Sequence, residues 1–108
     1  MAIPVDMYET DESLVVRASL PGIKPEEMDI AVTGDSLTIR GETKAHEEVK
    51  RDGYHRQELR YGAWGRSLTL PTRVEAEKAD ATFENGVLTL TIPKAEEAKV
   101  KTIKVKAA

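Results

Sequence analysis

Asp80-Ala81-Thr82-Phe83-Glu84-Asn85-Gly86-Val87-Leu88-Thr89-Leu90-Thr91-Ile92-Pro93 is the stretch that decides the architecture. Ala79, Ala81 and Phe83 fall on one face of an extended chain, and Leu88, Leu90 and Ile92 fall on one face of its return. Between them stands Asn85-Gly86, a pair that accepts the positive φ of a two-residue type I′ turn at little steric cost. Pro93 lacks an N–H and closes the run. The reading is a β-hairpin with one buried face.

The same period of two spreads outward from it. Leu14, Val16, Ala18 and Leu20 alternate with Val15, Arg17 and Ser19, and the turn pair Pro21-Gly22 stops them. Pro25-Glu26-Glu27 reads as a single helical turn with proline at its start. Met28, Ile30 and Val32 share a face, Gly34-Asp35 turns the chain, and Leu37 and Ile39 face inward on a strand closed by Gly41. Trp64, Leu68 and Leu70 continue the pattern up to Pro71, and residues 74–78 form another helical turn. Six or more short strands with regular turn signals predict an all-β, Ig-like antiparallel sandwich.

Two segments depart from the pattern. Residues 42–62 are charged and nearly devoid of large apolar side chains. A stretch of that length without a core face is unusual inside a compact domain and tends to be functional. Residues 54–60 within it could form a strand that pairs somewhere other than its own sandwich. After Pro93 the chain turns to Lys, Glu and Ala, a solvated linker over 94–101, followed by the short alternating run Thr102-Ile103-Lys104-Val105-Lys106. The nine residues 94–102 span at most about 30 Å when extended, enough to reach a neighbouring molecule. The domain is therefore placed at 1–93 and a C-terminal extension at 94–108.

Bulk properties exclude several functions. The 108 residues, 40% hydrophobic and 32% charged, make one folded domain with a charged surface. A net charge of −3 does not favour nucleic acid. There is no cysteine, hence no disulfide, thiolate nucleophile or cysteine-based zinc site, which fits a reducing, cytoplasmic setting. No apolar run approaches a membrane span, and the first residues do not form a secretion signal. The serines stand in no G-x-S-x-G context, and no Walker-type phosphate loop occurs. His46, Glu47, Glu48 and His55 amount at most to a surface metal-scavenging site. No enzyme activity and no cofactor is expected. Tyr8, Tyr54, Tyr61 and Trp64 read as packing or interface residues.

Six segments, in this order, resemble the α-crystallin (Hsp20) family of small heat-shock proteins, in its bacterial, archaeal and plant-like branch. They are residues 5–10, Leu20-Pro21-Gly22-Ile23-Lys24-Pro25-Glu26, residues 53–62, Trp64-Gly65-Arg66-Ser67-Leu68-Thr69-Leu70-Pro71, Ala81-Thr82-Phe83-Glu84-Asn85-Gly86-Val87-Leu88, and Ile103-Lys104-Val105. The resemblance implies an α-crystallin domain with a protruding dimerisation loop-strand. In the family that segment crosses to a partner and pairs beside the opening strand. It implies a dimer interface at Met7, Tyr8, Glu9, Tyr54, Arg56, Glu58, Arg60 and Arg66. Arg66 shares parity with Leu68 and Leu70, and an inward arginine must be paired. It further implies that Ile103 and Val105 plug a groove lined by Ile30, Val32, Ala81 and Phe83. The plainer alternatives are a charged loop, a surface arginine and a frayed, β-prone terminus. The first strand starts within a few residues of Met1, so the N-terminal arm usual in the family is expected to be absent.

The function implied is an ATP-independent holdase. Its partners would be unfolding client proteins, a second copy through strand exchange, and higher oligomers through the tail. Two other functions compete: a co-chaperone docking module of the p23 or CS type, which generally lacks the long segment and the tail motif, and a structural assembly core with little holding activity.

Overall fold

The computed structural model describes residues 3–43, 53, 55–56 and 62–108. Among them run seven strands: β1 (Val5–Glu9), β2 (Ser13–Ser19), β3 (Met28–Thr33), β4 (Ser36–Thr43), β5 (Gly62–Thr69), β6 (Asp80–Glu84) and β7 (Val87–Pro93). They form two antiparallel sheets, one of order β1-β2-β7-β6 and one of order β3-β4-β5. The chain is an all-β sandwich, as its periodicity predicts.

The β6–β7 hairpin closes as read, with Glu84 opposite Val87, φ of 52° at Asn85 and φ of 77° at Gly86. Pro25–Glu27 is a single 3-10 turn, closed by the Lys24 N–H donating to the Glu27 carboxylate at 2.9 Å. Ala76–Lys78 supplies the second turn.

The core lies between the sheets. Leu14, Val16 and Ala18 of β2, Leu37 and Ile39 of β4, and Leu88, Leu90 and Ile92 of β7 are buried together with Leu20, Ile23, Trp64 and Leu70. Directly opposed residues of an antiparallel pair share a face, so the register sorts the edge strands. Val5 opposes Ala18, Met7 opposes Val16 and Glu9 opposes Leu14, so these three face inward on β1. Ile30 and Val32 oppose Ile39 and Leu37, and Ala81 and Phe83 oppose Leu90 and Leu88. Val15 takes the opposite face, beside Tyr8 and Thr91, yet is buried.

Three local readings need correction. Gly41 does not end its strand: β4 continues through Thr43, paired with Gly62, so the ends of the expected 42–62 loop belong to the sheet. Most of the remainder, Tyr54, Glu58 and Arg60 included, lies outside the described residues. Gly41 is glycine because a Cβ there would collide with the Glu27 carbonyl oxygen and the Trp64 ring. Finally, the 94–101 segment is not solvated throughout. Lys94 is 5% exposed, its N–H donates to the Glu12 carbonyl at 2.8 Å, and Glu96–Ala98 forms a further 3-10 turn.

Candidate functional site: sheet margins and tail

The sandwich has two margins, and one side chain identifies them. Arg66 on β5 lies opposite Ile39 and so on the inner face by register, although it is exposed, and its guanidinium donates to the Ile3 carbonyl at 2.5 Å. Ile3 lies just ahead of β1. The outer strands β5 and β1 therefore border the same side of the sandwich. With sheets packed in near alignment, their opposite ends, β3 and β6, border the other side.

On the β3–β6 side the structure brings the expected groove residues onto the inner faces of two edge strands. Ile30, Val32 and Phe83 are half-buried against the core. Ala81, on the same inner face as Phe83, is exposed. A core-facing position open to solvent means that the seam is uncovered there. Both edges also carry unpaired backbone groups among the described residues, a ready template for an added strand.

The tail does not cover that seam. Ile103 is 85% exposed and Val105 95% exposed. Its base is held from two sides: Lys94 bridges Val74, the Ala95 N–H donates to the Arg73 carbonyl at 2.9 Å and Glu97 meets Arg73 at 3.6 Å, while Glu9 and Glu12 hold it from the β1–β2 hairpin. The buried Lys94 ammonium meets the Glu9 carboxylate at 3.0 Å. Lys99 reaches Glu12 at 3.4 Å and Glu96 at 3.2 Å, and Lys101 reaches Glu96 at 3.4 Å. The hydrogen bond and charge of Lys99, then those of Lys101, hold the Glu96 carboxyl below its ordinary pKa; the same contact with Glu96, then Glu12, raises that of Lys99. A depressed carboxyl stabilises above its unfolded pKa and ceases to as pH falls through the folded one. A raised ammonium stabilises below its unfolded pKa and loses this as pH rises through the folded one. The clasp thus holds across the neutral range.

On the β1–β5 side, Met7 packs half-buried against the core and Tyr8 is 50% exposed on the outer face. Glu9 is engaged within its own chain by Lys94, and Arg66 by Ile3. Arg56 is exposed. Sequence reasoning missed the Glu9–Lys94 pair. The available signal was parity: Glu9 falls in step with the inward Val5 and Met7, and a carboxylate there calls for a cation. Among the described residues no group of three or more His, Cys, Asp or Glu could hold a metal ion, and no helix is long and apolar enough to cross a membrane.

The model of the Hsp20/alpha crystallin family matches residues 6–106, the tail motif included, and the chain belongs to that family. It is similar to small heat shock protein C2 of Rickettsia felis, with 40% identity over 101 residues, covering 94% of this chain and 66% of the relative. It is also similar to the 17.8 kDa class I heat shock protein of Arabidopsis thaliana, with 46% identity over 98 residues, covering 90% and 62%. The chain thus spans a little under two thirds of the length of such relatives. Among solved structures it resembles heat shock protein 16.0 from Schizosaccharomyces pombe, with a TM-score of 0.79, 32% identity and coverage of 100% and 98%. A small heat-shock protein from Xylella fastidiosa, whose structure is described as a distinct high order structure, gives a TM-score of 0.74, 31% identity and coverage of 99% and 98%. The family supports a chaperone role rather than an enzymatic one.

Proposed function

We propose that this chain is an ATP-independent holdase that binds partly unfolded proteins and slows their aggregation. The observation that carries the reading is the open seam: Ala81 is exposed on a core-facing position while Ile103 and Val105 stand free. The Ile103-Lys104-Val105 segment of one chain plugs the seam of another by strand addition, with side-chain pockets setting the register. Burying two aliphatic side chains yields roughly 1.5–3 kcal/mol each. Ordering each tail residue costs about 1–2 kcal/mol. The difference is small, so the plug is reversible and its release uncovers an apolar seam for a client. Binding the unfolded state then competes with its self-association by mass action. The match through residue 106 supports this reading over a p23-type docking module. The cysteine-free sequence supports a cytoplasmic setting.

Excess protein is expected to suppress light scattering from a heat-labile client without nucleotide. Scattering unchanged by excess protein would favour a purely structural assembly unit. Ile103→Ala with Val105→Ala is expected to shift native mass toward smaller species; an identical mass distribution refutes the plug.

The same reading includes a dimer in which residues 54–60 pair beside β1, with Met7, Tyr8, Glu9, Tyr54, Arg56, Glu58, Arg60 and Arg66 at the interface. Arg66 supports it from within the chain, because its bond to Ile3 secures the segment leading into β1. Arg66→Gly is expected to weaken dimerisation about tenfold by sedimentation, the scale of one charge-assisted hydrogen bond. Unchanged dimer affinity counts against it.

A further inference from the structure

We infer that tail docking is specified by charge as well as by apolar side chains: Lys104 and Lys106 of one chain meet Asp80 and Glu84 of another, so the tail adds along β6 rather than β3. This rests on the plug reading above. With Ile103 and Val105 turned into the seam, Thr102, Lys104 and Lys106 turn outward, because alternate residues of a strand point to opposite faces. The tail's outward face then carries two bases and no acid. The outward residues of β6 are Asp80, Thr82 and Glu84, two acids and no base. Inward parity matches apolar to apolar, and the same register matches base to acid.

The choice between the two edges follows from the register. Asp29, the one outward acid of β3, lies directly opposite Arg40, so a cation already faces it. Asp80 and Glu84 lie opposite Thr91 and Val87. Neither has an ion pair among the described residues, and both are exposed. A lysine opposite Thr82 has both acids as diagonal neighbours about 7–8 Å away, within reach of a long side chain. This holds whether the tail runs parallel or antiparallel to β6. A second copy is the occupant because each chain's own tail is clasped at its base, by Glu12 through Lys99 and by Arg73 through Glu97, and its Ile103 and Val105 stand exposed rather than in its own seam.

The test uses full-length chains and native mass at low ionic strength. Lys104→Glu with Lys106→Glu is expected to weaken tail-dependent assembly on the order of tenfold, and Asp80→Lys with Glu84→Lys to do the same, given the strength of paired surface charges. Mixing the two variants restores assembly, because each tail then faces a groove of opposite sign on the other chain. Asp29→Asn leaves assembly within about twofold, the low end of a surface pair. The inference is overturned if charge reversal leaves assembly unchanged while Ile103→Ala with Val105→Ala abolishes it; the plug then stands and only its charge code fails. If the alanine pair also changes nothing, both fall. Recovery only when all four reversals share one chain, and not on mixing, overturns the second copy as occupant.

Discussion

Gly41→Ala is expected to lower the unfolding midpoint by roughly 10 °C at fixed protein concentration. The added methyl would occupy space held by the Glu27 carbonyl oxygen and the Trp64 ring. Neither yields easily. Glu27 closes the 3-10 turn that leads into β3, and the Trp64 indole N–H donates to the Thr43 hydroxyl at 3.1 Å across the same strand pair. Inserting one carbon into such a site costs about 1–3 kcal/mol. Each kcal/mol moves the midpoint of a domain this size by about 4–8 °C. Trp64 is the only tryptophan, so its fluorescence reports the unfolding and the displaced ring in one measurement. Gly65→Ala is the control: its methyl would meet the Arg40 Cβ at 3.3 Å and the Ile39 carbonyl at 3.4 Å, a tight but adjustable fit. A Gly41→Ala midpoint within about 2 °C of the parent, well under one kcal/mol on that scale, would show that the ring is free to move.

Glu9→Gln is expected to destabilise by about 2 kcal/mol, and Lys94→Met by less than about 1 kcal/mol, although both remove the same ion pair. The asymmetry comes from burial. The Lys94 side chain is 6% exposed and that of Glu9 is 43% exposed. Removing the carboxylate strands an ammonium in a low-dielectric site. Removing the ammonium leaves a carboxylate that water already reaches, and methionine fills the lysine's channel with an unbranched apolar chain. The Lys94 backbone bond to Glu12 survives both changes. Urea unfolding measures the two costs; the reverse order would mean that the lysine stem escapes to solvent once released.

The fold was legible because its strands are short, alternating and separated by turn residues whose backbone demands are specific. Asn85-Gly86 is the clearest case, and both residues take the positive φ that the hairpin needs. The expectation of a groove at Ile30, Val32, Ala81 and Phe83 came from the resemblance, and parity alone sets these residues on inner faces. The tertiary partners were not legible. Lys94 sits in a run of Lys, Glu and Ala that reads as solvated, and it is buried because the chain after β7 lies between the β1–β2 hairpin, where Glu9 points inward, and Val74. Gly41 read as a stop because the strand's reason for a glycine is an indole ring 23 positions later. Arg66 has the inward parity expected of it yet stays exposed, and its bond to a carbonyl near the first residues depends on which edges share a margin, information that no local pattern carries.

The central position of β2, paired with β1 on one side and with β7 on the other, has a consequence for how the molecule is made. Val16 cannot find Leu90 until the intervening chain has been made, which takes roughly 4–15 s at ordinary elongation rates of about 5–20 residues per second. Through that interval β1 and β2 wait as an aggregation-prone ribbon with its apolar face uncovered, while β3 and β4 are free to pair locally through Gly34-Asp35. Closing so long a loop makes the β2–β7 zipper the slow step of folding.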